Sequence, residues 1–428
     1  MRSWLFCLVW GSATLATVSS SAQELSLETV VKIALTRNER AEIAAQSVVI
    51  ADAAVIKARA AFLPTLSMAA GETLRPQALT QNGRTVVRDN AGTASLTLSQ
   101  SIFNATSFPL YASAKHSYEA ARYTHLDQRR QLAFDASRAF FAVIAQQRVL
   151  KASQARLALA NATLDDTRVR AGAGLTSSND VTRAEIDRAS ADQSSINAYD
   201  SLEAARLNLE FLVAPPTEIQ SDLVGPSQSL APADLSLAGL VNLAITRRPD
   251  LASLREVAAS AADAAEEPDL RFVPTLSASA QARAADQPIA ATRYYDTTLA
   301  INFNWSIWDG GSRSADSQSR GAQRVQAELQ LRSLARRVEL DVRAAIAELS
   351  AARNSLVAAQ QGADAAARSE AETTVLYKQG LAKAIELVDG NSTKFDAEVT
   401  VAAAELSVRQ AELDLRAALG LFPLDGVQ

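Results

Sequence analysis

The sequence contains a single cysteine, Cys7, and it lies close to the N-terminus. Arg2, the short apolar stretch that follows it and the small residues Ser20-Ser21-Ala22 are typical of a secretory signal, predicted to span residues 1–22. A mature chain beginning near Gln23 has no cysteine. Disulfides, thiol chemistry and a lipid-anchored N-terminal cysteine are then excluded.

Beyond this segment the chain also lacks a run of eighteen apolar residues, so no membrane-spanning helix is predicted. Aromatic residues make up only 5% of the sequence, although 48% is hydrophobic, because alanine is abundant. The net charge is −5 for the whole sequence. A mildly acidic chain is a poor partner for nucleic acid, and none is expected.

Glycine and proline are absent from residues 110–171. Sixty helical residues would extend about 90 Å at 1.5 Å each, far beyond an ordinary globular helix. A similar segment covers about 312–379, interrupted only by Gly321 and Gly362. Return helices are predicted at about 179–213 and 384–418. Helices this long need neighbours along their whole length, as in a coiled coil.

The chain is duplicated. Residues 26–71 and 236–281 align without a gap, with Phe62-Leu63-Pro64-Thr65-Leu66 matching Phe272-Val273-Pro274-Thr275-Leu276. We therefore predict a first repeat at 23–214, a linker at 215–235 and a second repeat at 236–428. Each repeat has a short helix, a medium helix, two strands around a loop, and a long hairpin. The medium helix and the return helix together match the long helix in length, so they are expected to stack end to end beside it.

The predicted strands alternate apolar and polar residues. The clearest covers 299–307, with Leu299, Ile301 and Phe303 on the face that continues to Trp305 and Ile307. The pattern fits a soluble sheet with one buried face, and it also fits a membrane β-barrel with a polar lumen. The predicted signal and the lack of a membrane helix favour the barrel, because only helices or closed barrels span a bilayer.

Four strands cannot close a barrel that leaves a pore, so several chains must contribute to one barrel. Three chains give about twelve strands at four per chain. The predicted fold class is therefore mainly α with a small β part: a two-fold internal repeat, with long helix hairpins in a trimeric α-barrel below a 12-stranded β-barrel.

The sequence resembles the TolC family of outer-membrane channels over nearly the whole mature length. The resemblance is carried by the two Pro-Thr-Leu segments, by Ser101-Ile102-Phe103-Asn104 and Ser306-Ile307-Trp308-Asp309-Gly310-Gly311 before the long helices, and by Gly174-Leu175 and Gly380-Leu381 at the hairpin turns. Leu207-Asn208-Leu209 and Leu413-Asp414-Leu415 match the ends of the return helices. Each motif is weak alone, and their order and duplication make them specific.

This resemblance implies a homotrimer in the outer membrane with a periplasmic extension. It implies a passive conduit for small molecules or proteins, with a periplasmic adaptor protein, an inner-membrane pump of RND, ABC or MFS type, and outer-membrane lipid as partners. No catalysis and no cofactor are expected. The alternatives are a periplasmic adaptor, which would carry one hairpin rather than two, and a secreted coiled-coil protein, which would not explain the strands.

Three groups of residues are candidate functional positions. The hairpin tips, with Arg170, Gly172, Gly174, Leu175, Gly380 and Leu381, either only reverse the chain or also dock the adaptor through the exposed leucines. Glu370 and Glu372 either form a carboxylate ring that gates the tunnel or belong to a solvated helix face. Asn104, Asp309, Gly310 and Gly311 mark the passage from strand to helix, where glycine serves backbone geometry.

The two histidines, His116 and His125, are nine residues apart on one predicted helix. At about 100° per residue they lie roughly half a turn out of phase. They cannot share a metal ion within one chain, and no metal site is predicted. Tyr294 and Tyr295 precede the last strand and are candidates for an aromatic girdle at the membrane surface.

Overall fold

A computed structural model describes residues 26–81, 84–87, 89–213, 236–286 and 293–425. The predicted signal at 1–22 and the whole of the predicted linker at 215–235 lie outside this part. The elements follow the predicted order. The helices are α1 Leu27–Arg37, α2 Glu39–Ala60, α3 Ser107–Gly172, α4 Ser178–Val213, α5 Leu237–Arg247, α6 Pro249–Leu270, α7 Ser312–Lys378 and α8 Ala384–Ala418; the strands are β1 Thr65–Leu74, β2 Leu79–Gln81, β3 Arg84–Val87, β4 Asn90–Phe103, β5 Thr275–Ala285 and β6 Tyr295–Asn304.

The short helices α1 and α5 begin at equivalent serines. Ser26 Oγ accepts a hydrogen bond from Thr29 N–H, and Ser236 Oγ accepts one from Gly239 N–H. These bonds satisfy backbone donors that the first turn of a helix leaves free. On α1, an apolar stripe from Leu27 to Leu35 is buried in a cluster formed mainly with α3 and α4.

The long helices α3 and α7 have 66 and 67 residues. Each spans about 100 Å at 1.5 Å per residue. Helix α3 begins at Ser107, three residues before the predicted start, with Pro109 inside its first turn. Proline is tolerated there because the first N–H groups of a helix have no intrahelical partner. Among the described residues, no helix is both long and apolar enough to cross a membrane.

The predicted end-to-end stacking of helices is confirmed in both repeats. In the first, Asn38 caps α2 and its Nδ2 donates to the carbonyl of Leu212 at the end of α4, at 3.0 Å. In the second, Gly420 follows α8 with φ +76° and lies directly against the backbone of Arg247 and Arg248, where α6 begins. Each pair therefore forms one composite column beside its long helix.

Helix α3 packs on the column of α2 and α4 and also on the column of α6 and α8, and α7 packs on the latter. The helical order is therefore α2/α4, α3, α6/α8, α7. The two larger of its buried clusters lie away from the hairpin tips. One contains Phe140 and joins α1, α3 and α4 with Leu413 of α8; the other contains Val338 and joins α5, α7 and α8.

The four main strands form one antiparallel sheet in the order β1-β4-β5-β6. Strands β4 and β5 pair over most of their length, for example Ser99 with Ser279, so the two repeats share a single sheet as predicted. A short hairpin, β2 with β3, lies in the loop between β1 and β4 and was not predicted.

The prediction for the last strand was displaced along the chain. Strand β6 begins at Tyr295 and ends at Asn304, so the apolar alternation continues past the strand. Trp305 turns toward the preceding loop, and its Nε1 donates to the carbonyl of Phe272 at 3.0 Å. Periodicity alone did not predict the end of β6 at Asn304, because Trp305 and Ile307 continue the apolar alternation of the strand.

Candidate functional site

The two hairpin tips are built in the same way. At the end of α3, Gly174 has φ +74°, its N–H donates to Ala171 O at 2.9 Å, and Leu175 N–H donates to Arg170 O at 2.9 Å. This pair of bonds is a Schellman motif, which needs a residue in the left-handed region. Gly172 is the last helical residue, and an added Cβ there would meet open space.

The second tip repeats this geometry at the end of α7. Gly380 has φ +78°, its N–H donates to Tyr377 O at 3.0 Å, and Leu381 N–H donates to Leu376 O at 2.8 Å. The residues after the two glycines point outward: Leu175 is 78% exposed and Leu381 is 73% exposed. Large apolar side chains therefore lie unpacked at the apex of both hairpins.

The return helices begin differently. Helix α4 starts with a reciprocal cap, in which Ser177 Oγ accepts from Asp180 N–H at 3.2 Å and Asp180 Oδ2 accepts from Ser177 N–H at 3.2 Å. The hydroxyl groups of Thr176 and Ser177 also donate to Asp180 and hold the pKa of its carboxyl below its usual value. At the start of α8, Lys383 supplies no side-chain cap.

A contact between the two tips was missed from the sequence. The guanidinium of Arg170 lies 4.5 Å from the centroid of the Tyr377 ring, and its Nη1 donates to Tyr377 O at 3.3 Å. The Tyr377 hydroxyl is 3.4 Å from Thr167 Oγ1. Burial, followed by the nearby Asp166, raises the pKa of Tyr377. Comparing the tips could have revealed this residue, because the first tip has Ala171 in its place.

The two gate candidates have different surroundings. Glu370 is mostly buried: its Oε2 is 3.2 Å from Lys394 Nζ on α8, and its Oε1 accepts from Thr374 Oγ1 at 3.0 Å. Glu372 is exposed. Since two residues correspond to about 200° around a helix, the carboxylates leave α7 in nearly opposite directions. Glu370 ties α7 to α8, and Glu372 is available to solvent.

The strand-to-helix passages are closed by local hydrogen bonds. Asn104 Oδ1 accepts from the Thr106 N–H at 3.2 Å and from its hydroxyl at 2.8 Å. Asp309 accepts from Gly311 N–H at 3.1 Å and from Arg313 N–H at 3.0 Å. Gly310 and Gly311 have φ +70° and +92°, in the left-handed region that favours glycine, where the chain enters α7.

The histidines take part in separate interactions. His116 Nδ1 is 2.6 Å from Glu256 Oε2 on α6, and its Nε2 is 3.7 Å from Asp263 Oδ2. His125 has a lowered pKa because of burial and the nearby Arg129. Within the described ranges, no three histidine, cysteine or carboxylate side chains are grouped so as to hold a metal ion.

Comparison with known proteins agrees with this architecture. The family model described as "Outer membrane efflux protein" matches residues 30–214 and 240–421, one segment in each repeat. The chain is 26% identical over 396 residues to "Outer membrane protein TolC" of Escherichia coli (strain K12), covering 85% of this chain and 76% of that protein. It is 25% identical over 385 residues to the protein of the same name from Salmonella enteritidis, covering 85% and 75%.

Solved structures share the fold at lower identity. The structure of CusC superposes with a TM-score of 0.82 at 16% identity and covers 92% of both chains. The Campylobacter jejuni CmeC outer membrane channel superposes with a TM-score of 0.82 at 16% identity, covering 92% of this chain and 85% of that one. Since the family model covers most of both repeats, this chain belongs to the outer membrane efflux protein family.

Proposed function

We propose that three copies of this chain form one passive channel, the outer-membrane component of a tripartite export system. The observation that carries the proposal is that both lateral edges of the sheet and of the helical layer lack a partner within the chain. Strands β1 and β6 are the two edges of the sheet, and α2/α4 and α7 are the two edges of the helical layer. Unpaired strand edges cannot remain exposed in a membrane.

The helical edges carry a second apolar stripe on the side opposite their packed face. On α7 the exposed residues Val325, Leu329, Leu340, Val357 and Val375 fall within an arc of about 100° at 100° per residue. On α4 the exposed residues Ile186, Ile196, Leu207 and Phe211 fall within about 80° by the same count. A head-to-tail ring places the α7 stripe of one copy on the α4 stripe of the next and pairs β6 with β1.

The exposed face of the sheet suits lipid. Leu299, Ile301 and Phe303 alternate along β6 and are all exposed, as are Leu66 and Met68 on β1. An outward apolar band with a polar inner face is the pattern of membrane β-barrels. Twelve strands from three copies would give a barrel wider than the roughly eight-stranded barrels that side chains fill.

The exported solute would pass by diffusion, with the energy supplied by an inner-membrane pump of RND, ABC or MFS type through a periplasmic adaptor. The family consists of channels rather than enzymes. Leu175 and Leu381 are proposed as contacts for the adaptor because they are apolar and exposed at the tips. The alternatives of an adaptor or a secreted coiled-coil protein are set aside, because the matching family is that of the outer membrane component.

The test is to purify the full-length protein from outer membranes and record its conductance in planar bilayers. We expect a heat-modifiable trimer with a low leak at rest. Replacing both Glu370 and Glu372 by alanine should raise the leak, because one substitution frees α7 from Lys394 and the other removes a charge at the tunnel mouth. A monomer without channel activity would contradict the proposed channel. An unchanged trace in the double variant would remove only the gate assignment.

A further inference from the structure

A pocket of about 520 Å³ opens between the end of α6 and the start of α7. Its lining includes Asp269, Phe272, Arg313, Ser314, Ser317 and Gln318. The volume lies within the range of about 300–1,000 Å³ that is typical of small-molecule sites. The lining combines one cation, one carboxylate, hydroxyl groups and an aromatic ring, so the pocket is suited to a ligand with both charged and apolar parts.

The first repeat fills the equivalent place with aromatic side chains. Aligning Phe62 with Phe272 and Asn104 with Asp309 places Phe108 opposite Arg313. In the first repeat the ring centroids of Phe62 and Phe108 are 5.2 Å apart. Tyr111 approaches the same ring at 6.0 Å. The second repeat has polar and charged residues at these positions, so it forgoes the apolar packing of the first.

Arg313 has unused hydrogen-bonding capacity. Its Nε is 3.1 Å from Asp309 Oδ2, its Nη2 donates to Ile307 O at 3.3 Å, and its Cζ lies 5.1 Å from the centroid of the Phe272 ring. Its Nη1 is buried and has no hydrogen-bond partner among the described residues. A buried donor without a partner is costly, and a small rotation of the guanidinium would offer it to a phosphate in the pocket.

The carboxylate of Asp269 complements this cation. It is exposed at the end of α6 and makes no ion pair with any residue that the structure describes. The pocket thus presents a positive group and a separate negative group from two different helices. This arrangement matches a zwitterion better than a simple anion, which Asp269 would repel.

The pocket lies where the chain leaves the membrane sheet. Strand β6 ends at Asn304, and Trp305, Ile307 and the 82% exposed Trp308 precede α7. Aromatic residues concentrate at the headgroup level of membranes. Trp305 is fixed beside the pocket by its hydrogen bond to Phe272 O at 3.0 Å. In an outer-membrane protein this places the pocket among the headgroups of the periplasm-facing leaflet.

We propose that this pocket binds the headgroup of a zwitterionic phospholipid of the phosphoethanolamine type. The phosphate is bound by Arg313 with the hydroxyl groups of Ser314 and Ser317, and the ammonium group is bound by Asp269. The glycerol and the first acyl carbons lie against Phe272 and Trp305. The first repeat, closed by Phe108, has no such site.

The experiment is lipid retention on the purified, delipidated full-length protein, measured by native mass spectrometry with three probes: phosphatidylethanolamine, phosphatidylglycerol and diacylglycerol. The wild type should retain phosphatidylethanolamine best and diacylglycerol least. Arg313→Gln should lower phosphatidylethanolamine retention about tenfold, the effect of losing one charge-assisted hydrogen bond. Asp269→Asn should keep phospholipid binding but bring phosphatidylethanolamine and phosphatidylglycerol to similar levels.

Two further variants separate binding from folding. Arg313→Phe reproduces the first-repeat residue, so it should form a normal heat-modifiable trimer and still lose the lipid. Arg324→Gln changes an exposed α7 arginine that pairs with Glu328 and should retain lipid as the wild type does. Equal retention by Arg313→Gln and wild type would overturn the proposal. The proposal would also be overturned if soluble glycerophosphoethanolamine displaced the bound lipid as effectively as phosphatidylethanolamine does, because the site would then be one for a soluble zwitterion.

Discussion

Single residues decide the form of the hairpin tips. Gly174 and Gly380 allow the left-handed turn that ends each long helix, and the leucine that follows each glycine remains exposed at the apex. A large exposed apolar side chain on a rigid turn is typical of an interaction site rather than of a solvated loop. In this outer membrane efflux channel the tips are therefore proposed to engage the periplasmic adaptor.

The tip leucines can be tested directly. We expect Leu175→Asp combined with Leu381→Asp to abolish export, because charged groups cannot be buried in an apolar contact, while the trimer still reaches the outer membrane. Export by whole cells and trimer content in membrane fractions are the measurements. Thr182→Asp with Thr393→Asp, exposed on α4 and α8 away from the apex, is the control. Normal export by the leucine variant would refute a docking role.

The cap at Ser177 and Asp180 gives a prediction about pH. The pKa of Asp180 is lowered, first by the Thr176 hydroxyl and then by that of Ser177. A carboxylate whose folded pKa is depressed stabilises the fold above its unfolded pKa of about 3.9, and this stabilisation is lost as pH falls through the folded value. Protection from hydrogen exchange in the first turn of α4, corrected for intrinsic rates, should therefore fall on acidification below about pH 4.

The start of α8 is the internal control, because Lys383 provides no side-chain cap there. Ser177→Ala should lower protection in the first turn of α4 at neutral pH, with a cost of about 0.5–2 kcal/mol for losing a helix cap. The prediction fails if the first turns of α4 and α8 lose protection together, or if Ser177→Ala changes neither.

At the scale of the elements, the end-to-end junctions turn two short helices into a column as long as α3 or α7. The first repeat uses a side chain, Asn38, to bridge α4 and α2. The second uses close backbone approach at Gly420. The two repeats thus reach the same packing by different local means, and each junction is set by contacts between residues far apart in the sequence.

At the Gly420 junction, adding a single methyl group is expected to lower the stability of the fold strongly. An alanine Cβ at this position would lie 2.7 Å from Arg248 N and 2.8 Å from Arg247 C, both backbone atoms that cannot easily move. Gly174→Ala, with a similar φ but open space, is the matched control and should cost about 1–2 kcal/mol. Thermal unfolding of the purified proteins should show a clearly larger loss for Gly420→Ala; equal losses would refute the close packing.

At the scale of the whole molecule, one chain is an open segment of a ring. Both edge helices carry apolar stripes turned away from their own chain, and the sheet ends in two free strand edges. A soluble monomer rarely exposes apolar surface of this extent. The architecture therefore favours closure through further copies.

Ring closure through further copies can be tested by placing a charged residue in the exposed apolar stripe of α7. Leu340→Asp lies within the exposed stripe of α7 and should convert the heat-modifiable trimer to monomer, since burying a leucine contributes about 1.5–3 kcal/mol at each of the repeated interfaces. Ser355→Asp is exposed on the same helix, about 120° from Val325, and should leave the trimer intact. Electrophoresis with and without heating distinguishes the outcomes. A stable trimer of Leu340→Asp would contradict the proposed interface.

The sequence by itself determined the features that depend on neighbouring residues. The duplication, the long segments with little or no glycine and proline, the alternation in β6 and the turn glycines are all local patterns, because helix and strand periodicities depend on residues close together in the sequence. These patterns were sufficient for the fold class and the family. They overextended β6, whose apolar phase runs on into Trp305 and Ile307.

Only the tertiary structure decided which distant residues meet. It pairs Glu370 with Lys394 and leaves Glu372 exposed, it brings Arg170 onto Tyr377 between the tips, and it leaves a charged pocket where the first repeat packs Phe108. Such contacts follow from how helices rotate and stack against each other, which no local pattern specifies. The sequence thus defined two repeats with the same order of elements, and the packing between distant residues determined how their contacts differ.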